Sequence, residues 1–210
     1  MKKIILTIAA ACVSATIFAA DANPETGTSK QAEAKYTAVI DERSQKIVDA
    51  LGLGDTNTAK KVHDIIMAQY RALNDWHNAN DPLIKKAKGN KETIAKIEAP
   101  LKKMHGEYLA ELGQYLSPSQ IETVKDKMTY GKVEFTFKGY CVEYPNLSEA
   151  DKQQVLTFLK EAREEAMDAG SSDEKSAIFN RYKGKINNYL AKQGVHSEKW
   201  IKEHAASQTK

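Results

Sequence analysis

The sequence predicts an all-α protein: a single-domain antiparallel helical bundle, with a small β-hairpin or an irregular insert near residues 130–144. Three observations predict it. Apolar residues recur at three- and four-residue steps along most of the chain, the spacing that gathers them on one face of a helix. Serines followed three residues later by Gln, Asp or Glu stand ahead of several of these runs, as capping boxes do. Only Tyr130 to Tyr144 alternates apolar with polar residues, the period of a strand.

Met1 to about Ala22 has the features of an export leader. Lys2 and Lys3 begin it, Ile4 to Phe18 is its apolar run, and Ala20-Asp21-Ala22 offers small residues for cleavage. The processed protein is therefore expected in the periplasm or outside the cell. Lipoprotein processing at Cys12 is not expected, because Ala9 replaces the usual Leu three positions earlier and the apolar run continues past the cysteine. Residues 23–30 form a polar spacer containing Pro24 and Gly27, expected to be flexible, and residues 31–206 the helical domain.

Removing Met1 to Ala20 takes Lys2 and Lys3 from the 31 basic residues and none of the 28 acidic ones, leaving 29 against 28 and a net charge of +1. Near neutrality gives no electrostatic case for nucleic acid as a partner. Cys141 then remains as a single cysteine, so no internal disulfide can form. Nothing after the leader is long and apolar enough to span a membrane. No cofactor motif is present and none is expected; the sequence does not define an oligomeric state.

The elements follow in order. Tyr36, Ile40, Ile47 and Leu51 share a face of a first helix, from about Gln31 to Leu51, and Gly52 ends it. A second helix from about Asn57 carries Val62, Ile66, Gln69, Leu73 and Trp76 in one seam. Asp81 is placed to cap, and Pro82 to open, a short helix ending near Gly89. Ile94, Ile97, Leu101, Met104, Tyr108, Leu112 and Tyr115 mark another helix, which Pro100 should kink or restart near Ala99. Ser117, Pro118 and Gln120 start a further one, continued by Ile121, Val124 and Met128.

In residues 130–144, Val133, Phe135 and Phe137 alternate with polar residues, Lys138-Gly139 can turn the chain, and Tyr140, Val142 and Tyr144 alternate again. A two-stranded hairpin and an irregular loop both fit. The helix start at Ser148 resembles that at Ser117, with a looser copy at Leu53, and the unequal intervals argue against a solenoid. His196 to Ala206 is read as a short last helix with Trp200 facing inward.

The most specific stretch is Glu161 to Gly194. Val155, Phe158, Leu159, Ala162 and Ala166 form a stripe before a Gly-Ser turn, and Phe179, Tyr182, Ile186, Tyr189 and Leu190 form one after it. So short a link predicts antiparallel packing, with Gly170 as a left-handed cap and Ser171 with Glu174 as a capping box. Glu161, Glu165 and Asp168 make an acidic line facing a basic one at Arg181, Lys185, Asn188 and Lys192. Asn180, Gly184, Asn187 and Ala191 form a small polar stripe suited to close packing or to a ligand.

The strings AREEAMDAGSS, YKGKINNYLAKQG and YRALNDWHNAND resemble domain-of-unknown-function family 3826, secreted helical proteins of gut Gram-negative bacteria. The resemblance spans about Tyr36 to Gly194. It implies a single helical domain, an extracytoplasmic location and a gene context of polysaccharide degradation; it implies no established activity and brings no catalytic residues. More locally, Leu116-Ser117-x-x-Gln120 resembles the Leu-Thr-x-x-Gln motif of periplasmic chaperones of the Spy and CpxP type.

No complete catalytic or metal motif is present. Tyr70, Asn74, His77 and Asp81, spaced four, three and four, share an edge of the second helix. An imidazole and a carboxylate so placed can act as an acid/base pair, or can simply pack and cap at a helix end. A metal would need a further ligand from elsewhere, and none is expected. The candidate ligand-binding residues are Tyr70, Asn74, His77, Asp81, Arg163, Lys183 and Asn187; the candidate catalytic ones are His77, Asp81 and Glu164. The readings they allow are an exported oligosaccharide-binding or accessory protein of polysaccharide utilisation, a glycan hydrolase or lyase, and an envelope chaperone.

Overall fold

The structure is a computed structural model that describes residues 24–197 and Lys199. Seven helices and no strand occur among the described residues: α1 Pro24–Leu51, α2 Thr56–Lys86, α3 Lys91–Leu112, α4 Pro118–Met128, α5 Lys132–Glu143, α6 Glu149–Met167 and α7 Ser172–Lys192. The all-α expectation holds. The leader, Cys12, the cleavage site and the final helix with Trp200 lie outside the described residues.

The chain divides into two compact units between Ala38 and Val39. In the first, the described part is the opening of α1. It begins at Pro24 and so includes the polar stretch 24–30; the Thr37 hydroxyl lies 3.3 Å from Glu33 one turn away.

The second unit holds two apolar clusters. In one, Ile47, Val48 and Leu51 of α1 meet Val62 and Ile66 of α2, Tyr108 and Leu112 of α3, and Val124 and Met128 of α4. In the other, Val133 and Tyr140 of α5 meet Val155, Leu159 and Ala162 of α6 and Phe179, Ile186 and Leu190 of α7. Helix α6 serves both, because Met167 at its end joins the first cluster. Its opposite side is polar: Arg163, only 3% exposed, donates to Asp126 and Glu122 of α4, each at 2.6 Å.

Helices α6 and α7 run antiparallel as expected, since Glu161 pairs with Lys185 at 2.7 Å and Glu165 with Arg181 one turn on. These four groups are roughly half exposed, so each pair contributes about 0 to 1 kcal/mol. Tyr189 closes the far end by donating to Asp151 at 3.0 Å.

The starts read from the sequence are present. Ser117 with Gln120, and Ser148 with Asp151, form complete capping boxes. Ser171 caps α7 by accepting from the Glu174 amide, while the Glu174 carboxylate takes the Gly170 amide at 2.8 Å instead of that of Ser171.

Four local expectations are corrected. Residues 132–143 are helical, neither hairpin nor loop, because Val133, Phe137, Tyr140 and Tyr144 also fall at four-, three- and four-residue steps and pack on the α6–α7 cluster. Pro82 opens no new helix: α2 passes through it to Lys86, and Asp81 caps nothing. Pro100 likewise lies within α3 without a restart. Finally, Gly170 is not left-handed, unlike Gly52, Gly89, Gly131 and Gly194. It is small for another reason, given below.

Candidate functional site

Helices end with carbonyls that lack an intrahelical partner, and the end of α6 satisfies them with side chains from elsewhere. The Lys175 ammonium, 6% exposed as a residue, donates to Ala166 O at 2.9 Å and lies 3.4 Å from Met167 O. Burial pushes this amine down to about 8, against the favourable charge of Asp168. His77 of α2 places Nε2 2.7 Å from Asp168 O and Nδ1 2.9 Å from the Asp81 carboxylate. Both partners are acceptors, so a neutral ring donates to one or the other according to its tautomer.

This approach explains Gly170. A Cβ there would lie 2.8 to 3.0 Å from three atoms of the His77 ring. The glycine leaves room for the imidazole to reach the carbonyl of Asp168.

The Asp168 side chain makes the second connection, accepting from His105 Nδ1 of α3 at 2.9 Å, while His105 Nε2 lies 3.4 Å from Glu164. The hydrogen bond to Asp168, then that to Glu164, outweighs burial and pushes His105 up to about 9. Burial acts to raise Glu164, but the bonds from His105 and Lys125 and the charge of Arg163 bring it down to about 2. Lys125 contacts both Glu164 oxygens, at 3.0 and 3.1 Å. A cation thus lies between two carboxylates where α3 meets α6, and Asp168 ties α2 and α3 to the same helix end.

His77, Asp81, His105, Glu164 and Asp168 line a cleft of about 820 Å³ formed by α2, α3, α6, α7 and the α6–α7 turn. Trp76 stands in its wall with its ring edge-on to His77, centroids 4.9 Å apart. Ile84, Leu101 and Ile178 supply apolar wall; Glu98, Glu161 and Glu165 add carboxylates. The arrangement can accept hydrogen bonds from a polar ligand, stack an aromatic ring against it, and present a fixed imidazolium. Among the described residues no group of three or more His, Cys, Asp or Glu is arranged to hold a metal ion.

Of the residues singled out from the sequence, His77, Asp81 and Glu164 line this cleft together. The rest stand elsewhere. Tyr70 packs against the α1–α4 cluster, and Arg163 lies behind Glu164, bonded to α4. Asn74 is half-buried on α2 and outside the lining. Lys183 and Asn187 face α5, where the Tyr140 hydroxyl donates to Asn187 at 2.7 Å and lies 3.2 Å from Lys183 O.

His105, Asp168, Glu98 and Trp76 were not singled out as site residues. The available signal was His105 one turn after Leu101, beside the α3 seam, opposite an acidic line that already included Asp168.

No helix among the described residues is long and apolar enough to cross a membrane. No curated protein matches the chain. Residues 37–210 match the family described as Protein of unknown function (DUF3826), which covers the whole helical core and every residue of the cleft, and the chain belongs to that family.

Proposed function

We propose that this is an exported binding or accessory protein of extracytoplasmic polysaccharide utilisation, and that the cleft holds an oligosaccharide. One observation carries the reading: two histidine–carboxylate pairs and the Trp76 ring converge in a single cavity. Its volume falls within the roughly 300 to 1,000 Å³ of small-molecule sites. Sugars combine hydroxyl edges with apolar C–H faces, and carboxylates beside an aromatic ring suit both. The leader in the sequence supports the location, and the gene context implied by the family resemblance supports the pathway.

A second reading is a glycan hydrolase. It is favoured because the candidate catalytic residues His77, Asp81 and Glu164 share this cleft. Glycoside hydrolysis uses two carboxyl groups about one bond, one of them protonated. Glu164, held near 2, is unsuited to be the acid; Glu98 on α3 lines the same cleft. A lyase fits less well, because the cations required beside a uronate carboxylate are scarce in the lining. A chaperone would want a broad exposed apolar face, whereas Phe135 and Val142 stand out on α5 with few others.

Thermal unfolding of residues 23–210 with a panel of plant and host oligosaccharides tests the reading. A ligand of the folded state adds about 2.7 kcal/mol at a hundredfold excess over its dissociation constant. For a chain of this size that raises the midpoint by roughly 5 to 10 °C. His77→Ala should abolish the rise while remaining folded by circular dichroism. No rise with any sugar, or an undiminished rise in His77→Ala, contradicts the reading; sugar products released over time decide for the hydrolase.

A further inference from the structure

We infer that the cleft selects uncharged or amino-bearing glycans and rejects those carrying uronate, sulfate or phosphate groups. This rests on the reading of the cleft as a glycan site and names the class of glycan. The argument lies in how the charges are oriented. Glu161, Glu164 and Glu165 line the cavity, while Lys185, Lys125 and Arg181, which pair with them, do not. Arg163 also stands outside the lining, bonded to α4. The carboxylates therefore line the cavity, and their counter-charges stand outside the lining.

The two imidazoles within the lining are committed. His105 points its two nitrogens at Asp168 and Glu164, and His77 is flanked by Asp81 and a main-chain carbonyl. One exposed cation, Lys102 on α3, stands in a lining that holds seven carboxylates: Asp81, Glu98, Glu161, Glu164, Glu165, Asp168 and Glu174. An incoming anion would find no fork of donors such as an arginine provides. It would instead lie against carboxylates, and like charges across an interface are a strong means of rejecting a partner. Sugar hydroxyls and ammonium groups are donors, and their bonds to carboxylates are charge-assisted. The high protonation range of His105 is a second sign of the same negative field.

Calorimetric titration of residues 23–210 at low ionic strength, where screening is least, tests the inference. The probes are neutral xylo- and manno-oligosaccharides, chitosan oligomers and oligogalacturonate of matched length. Neutral or amino-bearing oligomers should bind at least roughly tenfold more tightly than the oligogalacturonate. The variant Glu161→Gln/Glu165→Gln should narrow that gap by strengthening oligogalacturonate binding, since Lys185 and Arg181 lose their partners while the fold keeps its apolar core.

Oligogalacturonate binding as tight as, or tighter than, the neutral oligomers overturns the inference and leaves the glycan-site reading standing. The absence of heat from all three classes overturns both. A gap unchanged in the double variant assigns the selectivity to something other than these carboxylates and also overturns the inference.

Discussion

At the scale of single residues, Asp168 and Gly170 decide how the cleft is built. Asp168 offers its carboxylate to His105 and its carbonyl to His77, so one residue fixes two imidazoles from two helices. Gly170 keeps the space that the second contact needs. Gly170→Ala should displace the His77 ring, costing about 1 to 3 kcal/mol by overpacking, measured as a lower midpoint in urea. It should also weaken oligosaccharide binding, which an alanine at the exposed Gly184 of α7 should not. Equal stability of Gly170→Ala and the native chain would mean that the ring has freedom the fold does not suggest. From sequence, Gly170 reads as an ordinary helix-ending glycine, because a helix-ending glycine and one made small by a distant ring look alike. The contact partner is 93 residues away along the chain.

At the scale of elements, the α3–α6 contact should respond to pH through His105. Its protonated form is stabilised in the fold, so the contribution is fully present below the unfolded value of about 6.5. It is lost as pH rises through about 9. The loss is on the order of 2 to 3 kcal/mol for a side chain only 17% exposed. Lys175 works in the opposite sense: its buried amine is depressed to about 8, so relief of that penalty adds stability from there toward the unfolded lysine value of about 10.4. Glu164 is lowered, so its contribution is present above an unfolded value of about 4.3 and is lost as pH falls through about 2. Urea midpoints should therefore fall from about pH 6.5 to about pH 8, level off to about pH 9, and recover toward pH 10. His105→Gln should remove the fall; a variant with the native profile would show that the imidazolium does not link the two helices.

The elements also show where sequence patterns lead and where they mislead. Helix starts at Ser117, Ser148 and Ser171 are legible because the capping chemistry is local. Helix α5 is not, because its residues satisfy two periods at once. Phe135 and Val142 support the strand reading, yet they are the side chains left in solvent, 80% and 74% exposed. The period that matters belongs to Val133, Phe137, Tyr140 and Tyr144, and only a cluster on α6 and α7 to pack against selects it. Pro82 misleads in a related way: it removes one donor, yet α2 continues through the gap, as α3 does through Pro100.

At the scale of the 39–197 unit, two apolar clusters are joined along a polar seam. Helix α6 gives its apolar face to α5 and α7, and its Arg163, Glu164 and Asp168 side to α3 and α4. The cleft lies between α2 and α3 on one side and α6 and α7 on the other, so its residues come from helices far apart in sequence. This is why His77, Asp81 and Glu164 could be picked out individually while their convergence, and the part of His105, could not. Asn187, a member of the small polar stripe, serves the packing of Tyr140 instead, and Lys183 meets the same hydroxyl through its main-chain carbonyl.

The central claim is that the ligand lies against Trp76. The sequence has two tryptophans, so Trp200→Phe leaves Trp76 as the single reporter. Its fluorescence should change saturably as a neutral oligosaccharide is added, with a midpoint matching the calorimetric one. A flat Trp76 signal, at concentrations where the same sugar raises the unfolding temperature, would place the binding site elsewhere and contradict the account.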